Sequence, residues 1–194
     1  WWNLLNLINL INFKIINVNK IDTAIDLIER GKVIGWFQGR SEFGPRGLGN
    51  RSILSLATDE KYKDTVNEKV KKREAWRPFC PTIIEEKSEE ILVNSTYAPY
   101  MILGFEMKNP ELYPAVCHVD GTTRPQILKK DMNPDFYQVV KGVGGIVLNT
   151  SFNLAGDPIV ETPHDALMTL KNSEMDAIII NDFLVEKNKW WNER

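Results

Sequence analysis

The segment at residues 39–52 combines residue types that are suited to binding an anion. It reads GRSEFGPRGLGNRS and places Arg40, Arg46 and Arg51 among four glycines. Glycines let successive backbone N–H groups approach an anion closely, and guanidinium groups match phosphate oxygens with paired hydrogen bonds. Neither the P-loop nor the dinucleotide-turn spacing is present. The segment predicts an anion-binding loop. The alternative is a surface turn whose arginines pair with Glu42 and other acids.

A second cationic segment, VKKREAWRPFCP, occupies residues 70–81. A helix that ends near Arg73 would be stabilised by positive charge at its carboxyl end, which accounts for Lys72 and Arg73 without a ligand. It does not account for Arg77, which lies between Trp76 and a proline where a buried strand begins. A charge there needs a partner. We therefore expect Arg77 to contact a bound anion.

Two further segments offer polar side chains next to predicted strands. HVDGTTRPQ (118–126) reads as a hairpin turn that places hydroxyl groups beside Arg124. In LNTSFNLAGDPIVETPHDA (148–166) a hydrophobic strand gives way to amides and hydroxyls, namely Asn149, Ser151 and Asn153. Such groups at a strand end either orient a ligand or only form a turn. The two histidines form no nucleophile–base–orienter triad with other residues.

The elements that would position these residues alternate irregularly between helix and strand. Hydrophobic periodicity and capping signals predict helices at 19–30, 60–74, 88–93, 134–141 and 162–171. Strands are predicted at 33–39, 52–57, 79–86, 101–107, 145–152, 177–182 and 183–187, with short ones around Cys117 and Ile127. This order indicates an α/β or α+β domain with a mixed sheet.

Residues 1–18 are rich in Asn, Leu and Ile, and we separate them from a folded domain at 19–194. They fit an amphipathic helix, a linker or an extended strand. The chain starts with Trp1 rather than Met, which suggests a piece of a longer protein. Its sequence shows no signal peptide and no apolar run long enough to span a bilayer.

The composition narrows the class of partner. With 194 residues, 43% of them hydrophobic, the chain is long enough for one globular domain. A net charge of −2 argues against a nucleic-acid-binding protein and favours a small anionic ligand at a local positive patch. Cys80 and Cys117 show no metal-binding spacing, so we expect no structural metal. Two free thiols suit a cytoplasmic location.

Taken together, the four segments resemble one family. GRSEFGPRGLGNRSIL, VNEKVKKREAWRPFCPTI, HVDGTTRPQ and LNTSFNLAGDPIVETPHDA occur in the same order in O-carbamoyltransferases of the NodU/CmcH type. The resemblance implies the smaller C-terminal domain of these enzymes. That domain has the YrdC-like fold, a twisted mixed sheet flanked by helices around a concave, positively lined cavity. It takes carbamoyl phosphate and ATP, with Mg²⁺ sharing the triphosphate charge, and yields a carbamoyl-adenylate. An actin-like N-terminal domain, which the matched segments do not include, then transfers the carbamoyl group to a hydroxyl acceptor.

The resemblance also implies roles for individual residues. Arg46, Lys71 and Arg77 would hold carbamoyl phosphate and carry the catalysis. Substrate-binding residues would complete the nucleotide and carbamoyl site, namely Arg40, Arg51, Arg124, Asn149, Ser151 and Asn153. The family usually has alanine where this chain has Gly47, and we expect a mild effect from that difference.

Two other functions stay open from the sequence. YrdC-like proteins also make threonylcarbamoyl-adenylate from threonine, bicarbonate and ATP, and this chain could share that activity. A non-catalytic module that binds nucleotides or RNA is the second alternative. The acidic pI of about 5.8 argues against tight RNA binding, while the basic cluster at 69–77 keeps the possibility open.

Overall fold

The computed structural model describes residues 13–187, which form a mixed α/β domain. Its strands are β1 (Phe13–Asn17), β2 (Ile34–Phe37), β3 (Arg51–Ser55), β4 (Cys80–Ile84), β5 (Phe105–Glu106), β6 (Thr122–Thr123), β7 (Gln126–Leu128), β8 (Ile146–Ser151), β9 (Ala177–Ile180) and β10 (Phe183–Lys187). Its helices are α1 (Lys20–Glu29), α2 (Lys61–Asp64), α3 (Glu85–Ile91), α4 (Pro134–Gly142) and α5 (Pro163–Lys171). A π-helix follows α2 at Thr65–Lys71, and a 3₁₀ turn spans Pro110–Leu112.

Eight of the strands form one mixed sheet in the order β1-β10-β9-β2-β3-β8-β4-β7. The pairs β2–β9 and β4–β7 are parallel, and the other neighbours are antiparallel. The central strands are buried on both faces, so neighbouring residues such as Ile53 and Leu54 belong to two different hydrophobic clusters. A sheet covered on both faces explains why these strands read as continuous apolar runs.

Local signals place the helices that the sequence predicts most clearly. The side chain of Asn19 accepts hydrogen bonds from the first turn of α1, and Thr162 with Asp165 forms a capping box at the start of α5. Helices α1 and α4 pack against each other. Gly142 permits this close approach, because a Cβ there would lie 2.2 Å from Ile25 Cδ1.

The predicted helix at 60–74 is wrong in type and length. Helix α2 covers only one turn, the π-helix continues it, and Lys72 ends it in the left-handed conformation with φ of 53°. At this end of the π-helix, the backbone carbonyl oxygen of buried Asn67 accepts hydrogen bonds from the N–H groups of both Lys72 and Arg73. π-Helical turns are rare and often occur at functional sites.

Three smaller predictions also change. Only Phe105–Glu106 of the predicted strand 101–107 is extended, and it pairs with β6 in a separate two-stranded sheet. The residues around Cys117 form turns rather than a strand, because their N–H groups bond locally to Tyr113. The helix predicted at 88–93 is Glu85–Ile91.

Residues 13–17, the first that the structure describes, form a strand of the large sheet. Strand β1 pairs with β10 at one edge, so residues 13–17 adopt the extended alternative considered for 1–18. Residues 1–12 of the predicted linker and residues 188–194 of the predicted domain lie outside the described residues. Between 13 and 187, no helix has the length and apolar character needed to cross a membrane.

Candidate functional site

Lys71 lies at the end of the π-helix with its side chain buried, at 3% exposure. Its Nζ donates hydrogen bonds to the carbonyl oxygen of Ser151, to Asn153 Oδ1 at 2.7 Å and to Ser151 Oγ at 3.3 Å. Burial, with a smaller contribution from the nearby charge of Arg73, lowers the pKa of Lys71 to about 7. The amine therefore changes its charge near neutral pH and would gain a proton beside a bound anion.

Ser151 and Asn153 are held in place by their own contacts at the end of β8. Ser151 Oγ donates to Asn153 Oδ1 at 2.8 Å, and Asn153 Nδ2 donates to the carbonyl of Asp157 at 2.7 Å. The N–H of Ala155 also donates to the carbonyl of Lys71 at 3.1 Å. The structure thus brings Lys71 of one sequence motif together with Ser151 and Asn153 of another.

Arg73 belongs to this neighbourhood, although the sequence explained it as a helix-end charge. The helix ends at Lys72, so Arg73 lies directly after it, and its backbone N–H bonds to the backbone carbonyl of Asn67. Arg73 Nε donates to Asn67 Oδ1 at 2.7 Å, and its guanidinium lies 4.7 Å from the ring centroid of Phe79. Burial, together with the charge of Arg77, lowers the pKa of Arg73. The signal available in the sequence for this contact was an asparagine, Asn67, among the charged residues of a predicted helix.

Arg77 is more exposed than the sequence argument required. Its side chain is 47% exposed, and Nε lies 3.4 Å from Oε2 of Glu74. Asn67 Nδ2 donates to the carbonyl of Arg77 at 2.9 Å, which fixes the backbone while the side chain faces solvent. The argument that the position of Arg77 demands a partner for its charge therefore fails, whereas its contact with an anion stays a prediction. Its place in the site rests on the resemblance.

Glu42 organises the glycine-rich loop by accepting hydrogen bonds from backbone N–H groups, and among the described residues it accepts none from an arginine side chain. Its Oε1 accepts hydrogen bonds from the N–H groups of Leu48 at 2.7 Å, Asn50 at 2.7 Å and Arg51 at 3.3 Å. We call residues 48–51 the base of the loop and residues 40–47 its tip. The surface-turn alternative, in which arginines pair with Glu42, does not describe this contact.

The base of the loop is also fixed from the sheet and from α4. The carbonyl oxygen of Gly49 accepts hydrogen bonds from Trp36 Nε1 at 2.9 Å, Gln38 Nε2 at 3.0 Å and Asn133 Nδ2 at 3.2 Å. A Cβ on Gly47 would lie 2.5 Å from the carbonyl oxygen of Arg51, so alanine there requires a backbone shift. This contact contradicts the mild effect expected for that difference.

The three arginines of the loop occupy different environments. Arg51 is buried and donates from Nη1 to the carbonyls of Gln38 and Asn50, and from Nη2 to those of Gly39 and Glu161. It stacks on the Phe37 ring, and burial lowers its pKa. Arg51 therefore shapes the loop. In the tip, Arg40 is exposed and Arg46 is half-buried, and within residues 13–187 neither side chain forms a hydrogen bond or ion pair.

A second polar row crosses β7, β4 and β8. Asn149 Nδ2 donates to Thr82 Oγ1 at 2.9 Å, and Thr82 Oγ1 donates to Gln126 Oε1 at 2.8 Å. Gln126 Nε2 reaches the carbonyl of Leu48 at 2.9 Å, which ties the row to the base of the loop. Asn149 Oδ1 is buried without a hydrogen-bond partner among the described residues. A buried acceptor without a hydrogen bond lowers the stability of the fold, and a donor from a bound ligand would remove that cost.

Arg124 lies at the end of this row. Its Nη2 is 3.6 Å from Cys80 Sγ, and its Nε is buried without a partner in the described part of the chain. His118 lies nearby, with Nδ1 3.2 Å from Thr122 Oγ1. Burial lowers the pKa of His118 more than the charge of Arg124 does. Cys80 and Cys117 are both free thiols.

A cavity of about 370 Å³ lies beside this site, between residues 154–161 and α5. Its charged lining residues are the carboxylates Asp157, Glu161 and Asp165. The arginines and Lys71 do not line it, so it differs from the positively lined cavity that the resemblance implies. Among residues 13–187, no group of three or more His, Cys, Asp or Glu side chains is arranged to hold a metal ion.

The family whose sequence profile matches this chain is described as carbamoyltransferase C-terminus, and the match covers residues 25–187. The chain belongs to this family. All nine site residues proposed from the sequence lie inside the matched range.

Curated relatives agree with this assignment. Nodulation protein NolO of Bradyrhizobium diazoefficiens is 39% identical over 175 residues, which are 85% of this chain and 32% of NolO. The 3'-hydroxymethylcephem-O-carbamoyltransferase of Streptomyces clavuligerus is 32% identical, with 78% of this chain and 30% of that enzyme covered. Uncharacterized protein MJ1058 of Methanocaldococcus jannaschii is 40% identical over 86% of this chain and 28% of its own length. This carbamoyltransferase C-terminal chain therefore spans about a third of the length of these relatives.

Solved structures show the same fold. Full-length HypF in its phosphate- and nucleotide-bound form matches with a TM-score of 0.65 and 18% identity, over 86% of this chain and 25% of HypF. P. abyssi Sua5 complexed with L-threonine matches with a TM-score of 0.61 and 15% identity, over 86% of this chain and 47% of Sua5. E. coli YciO matches with a TM-score of 0.57 and 12% identity, over 84% of each chain. The predicted YrdC-like mixed α/β fold is confirmed.

Proposed function

We propose that this domain binds carbamoyl phosphate and ATP and forms carbamoyl-adenylate, which a partner domain uses to carbamoylate a hydroxyl group. The observation that carries the proposal is the buried contact of Lys71 with Ser151 and Asn153 in a member of the carbamoyltransferase family. The relative named 3'-hydroxymethylcephem-O-carbamoyltransferase supports a carbamoyl group and an oxygen acceptor. The fold likeness to a phosphate- and nucleotide-bound HypF supports anionic ligands.

Two groups of cations would share the charge of the substrates. Arg46 and Arg40 in the tip of the loop have no partner within the described residues, so they are available for phosphate oxygens. Lys71 supplies a buried amine whose charge returns when an anion binds. The Arg77–Glu74 pair is exposed, and such pairs contribute little, so Arg77 can exchange Glu74 for a phosphate at small cost.

The polar row at the sheet would hold the uncharged part of the ligands. Asn149 Oδ1 is a buried acceptor without a partner among residues 13–187, and Arg124 Nε is a buried donor that also lacks a partner there. An acceptor suits the NH₂ of a carbamoyl group, and a donor suits its carbonyl oxygen. Ser151 and Asn153 fix Lys71, and Arg51 fixes the loop, so these three would act on substrates through the groups that they hold.

The reaction balances in two steps and needs no protein nucleophile. Carbamoyl phosphate and water give carbamate and phosphate. A carbamate oxygen then attacks the α-phosphorus of ATP, and pyrophosphate leaves. The domain would contribute charge neutralisation and alignment of the two anions. A Mg²⁺ ion would share the charge of the triphosphate, and we assign it no step.

The rest of the enzyme is proposed from the relatives. The chain covers between 25% and 33% of the length of several relatives, so a longer N-terminal part is available there to bind the acceptor. We propose that this part is the actin-like domain implied by the resemblance. We also propose a cytoplasmic setting, in which ATP and carbamoyl phosphate are available and Cys80 and Cys117 stay reduced.

A second candidate is synthesis of threonylcarbamoyl-adenylate, which the fold likeness to Sua5 complexed with L-threonine favours. The family match and the 15% identity to Sua5 place it behind carbamoyl transfer. Threonine, bicarbonate and ATP should then yield the threonylcarbamoyl adduct by mass spectrometry, whereas carbamoyl phosphate should not be required.

The deciding experiment is incubation of the purified chain with ATP and carbamoyl phosphate, with AMP and pyrophosphate measured by chromatography. We expect slow AMP release that requires both substrates, because a labile adenylate hydrolyses when no partner domain shields it. Arg46→Ala should abolish the signal, since one such charge contact contributes about 3 kcal/mol. Binding of carbamoyl phosphate without any AMP would show that adenylation needs the partner domain. Carbamoylated acceptor from this chain alone would contradict the division of labour.

A further inference from the structure

Three backbone N–H groups in the base of the glycine-rich loop converge on a single carboxylate oxygen. Leu48, Asn50 and Arg51 all donate to Glu42 Oε1, at distances of 2.7 to 3.3 Å. Converging backbone N–H groups of this kind form the nests that bind phosphate oxygens in other proteins. In this chain the nest already holds an anion, and that anion is part of the loop itself.

The tip of the loop differs from the base in how its polar groups are used. No backbone N–H group of residues 40–47 donates a hydrogen bond within the described part of the chain. Arg40 and Arg46 are equally unpaired there. The N–H groups of the tip are therefore available to a ligand, whereas those of the base are already bonded to Glu42.

We infer that Glu42 is a positioning residue for anion binding. It fixes the base of the loop so that Arg46 and the free N–H groups of the tip face the phosphate of the substrate. The inference rests on the proposed function for the identity of the anion. It also excludes the base as the phosphate site, because a carboxylate and a phosphate cannot share the same three N–H groups.

The sign of one mutational effect distinguishes this role from its rivals. Removing a negative charge near an anion site strengthens anion binding through Coulomb forces alone. If Glu42 competed with phosphate for the nest, its removal would strengthen binding further. A positioning role predicts the opposite, because the tip loses its fixed base and Arg46 its defined position.

The test is calorimetry of the full chain with inorganic phosphate and with carbamoyl phosphate at one ionic strength. We expect Glu42→Gln to weaken binding about tenfold. Glu42→Asp keeps the charge but shortens the side chain, so it should also weaken binding, and thermal melting checks that both variants fold. Glu29→Gln, an exposed change of the same charge on α1, is the control and should leave affinity unchanged. Tighter binding in Glu42→Gln would overturn the inference.

A double-mutant cycle separates positioning from general destabilisation. If Glu42 acts through the tip, Glu42→Gln should have little further effect in the Arg46→Ala background but its full effect in Lys71→Met. Full additivity with Arg46→Ala would refute the inference.

Amide exchange measured by NMR tests the loop independently of any ligand. Glu42→Gln should speed exchange at Leu48, Asn50 and Arg51 and leave α1 unchanged. If wild type binds neither anion, the proposed function fails, while unchanged exchange at those three amides would remove the role of Glu42 itself.

Discussion

Lys71 Nζ lies 2.7 Å from Asn153 Oδ1, although 82 residues separate the two in sequence. The contact joins the end of a π-helix to the end of β8, and it buries an amine that has no carboxylate partner among its hydrogen bonds. Burial of an uncompensated charge is costly, which is why the pKa of Lys71 falls to about 7. A site that pays this penalty in the free protein is prepared for an anion.

Lys71→Met should weaken anion binding without unfolding the domain. A charge-assisted contact contributes about 1.5–3 kcal/mol, so the affinity for carbamoyl phosphate should fall roughly tenfold to a hundredfold. The free energy of unfolding at pH 7 should stay equal or rise, because methionine fills similar volume without a buried amine. Calorimetry and urea denaturation measure the two effects. Lys69→Met, an exposed change on the same π-helix, serves as the control.

The stability of the domain should depend on pH through Lys71. Its pKa is lower in the folded chain, about 7, than the ordinary value of 10.5, so between these pH values the unfolded chain binds more protons. The free energy of unfolding contributed by Lys71 therefore rises from pH 7 towards pH 10, by at most about 1.4 kcal/mol per pH unit. Urea denaturation of wild type and Lys71→Met at pH 7, 8 and 9 isolates this contribution. A constant difference between the two proteins would contradict the lowered pKa.

Arg51→Lys should destabilise the fold, whereas Arg40→Lys should not. The guanidinium of Arg51 donates to four backbone carbonyls, and a lysine amine cannot reach them in that arrangement. Loss of these bonds should lower the free energy of unfolding by about 2–3 kcal/mol. Arg40 is exposed, so its replacement should change stability by less than about 0.5 kcal/mol. Denaturant midpoints of the two variants decide the matter. Equal midpoints would mean that the carbonyl contacts contribute nothing.

Local signals explain which parts of the fold could be predicted from the sequence. Asn19 caps a helix that the sequence placed at 19–30 and that the structure has at Lys20–Glu29. The strand predicted at 145–152 is Ile146–Ser151 for the same reason, since its apolar run ends at polar residues and a glycine precedes it. In both cases residues close in sequence carry the information.

The site was harder to predict because its decisive contacts are distant or unusual. Asn67 ends the π-helix and accepts a hydrogen bond from Arg73, but the residues next to it in sequence do not predict a π-helix. From the sequence, Glu42 looks like an exposed acidic residue, whereas in the structure backbone N–H groups of the loop donate to it. The sequence placed Lys71 in one motif and Ser151 with Asn153 in another, and the folded structure shows that the two motifs are in contact.

Arg77→Ala should weaken carbamoyl phosphate binding more than Lys72→Ala. Both residues are exposed, and each substitution removes one positive charge, so the change in net charge is the same in the two variants. Among residues 13–187, the side chain of Arg77 pairs only with Glu74, and a guanidinium released from that pair can form two hydrogen bonds to one phosphate. We expect a loss of roughly tenfold or more for Arg77→Ala, the value of one charge-assisted contact, and less than about twofold for Lys72→Ala. Stability should change little in either variant because surface ion pairs contribute about 0–1 kcal/mol. Equal losses of affinity in calorimetry would remove Arg77 from the site and leave its charge as a solvated feature beyond the π-helix.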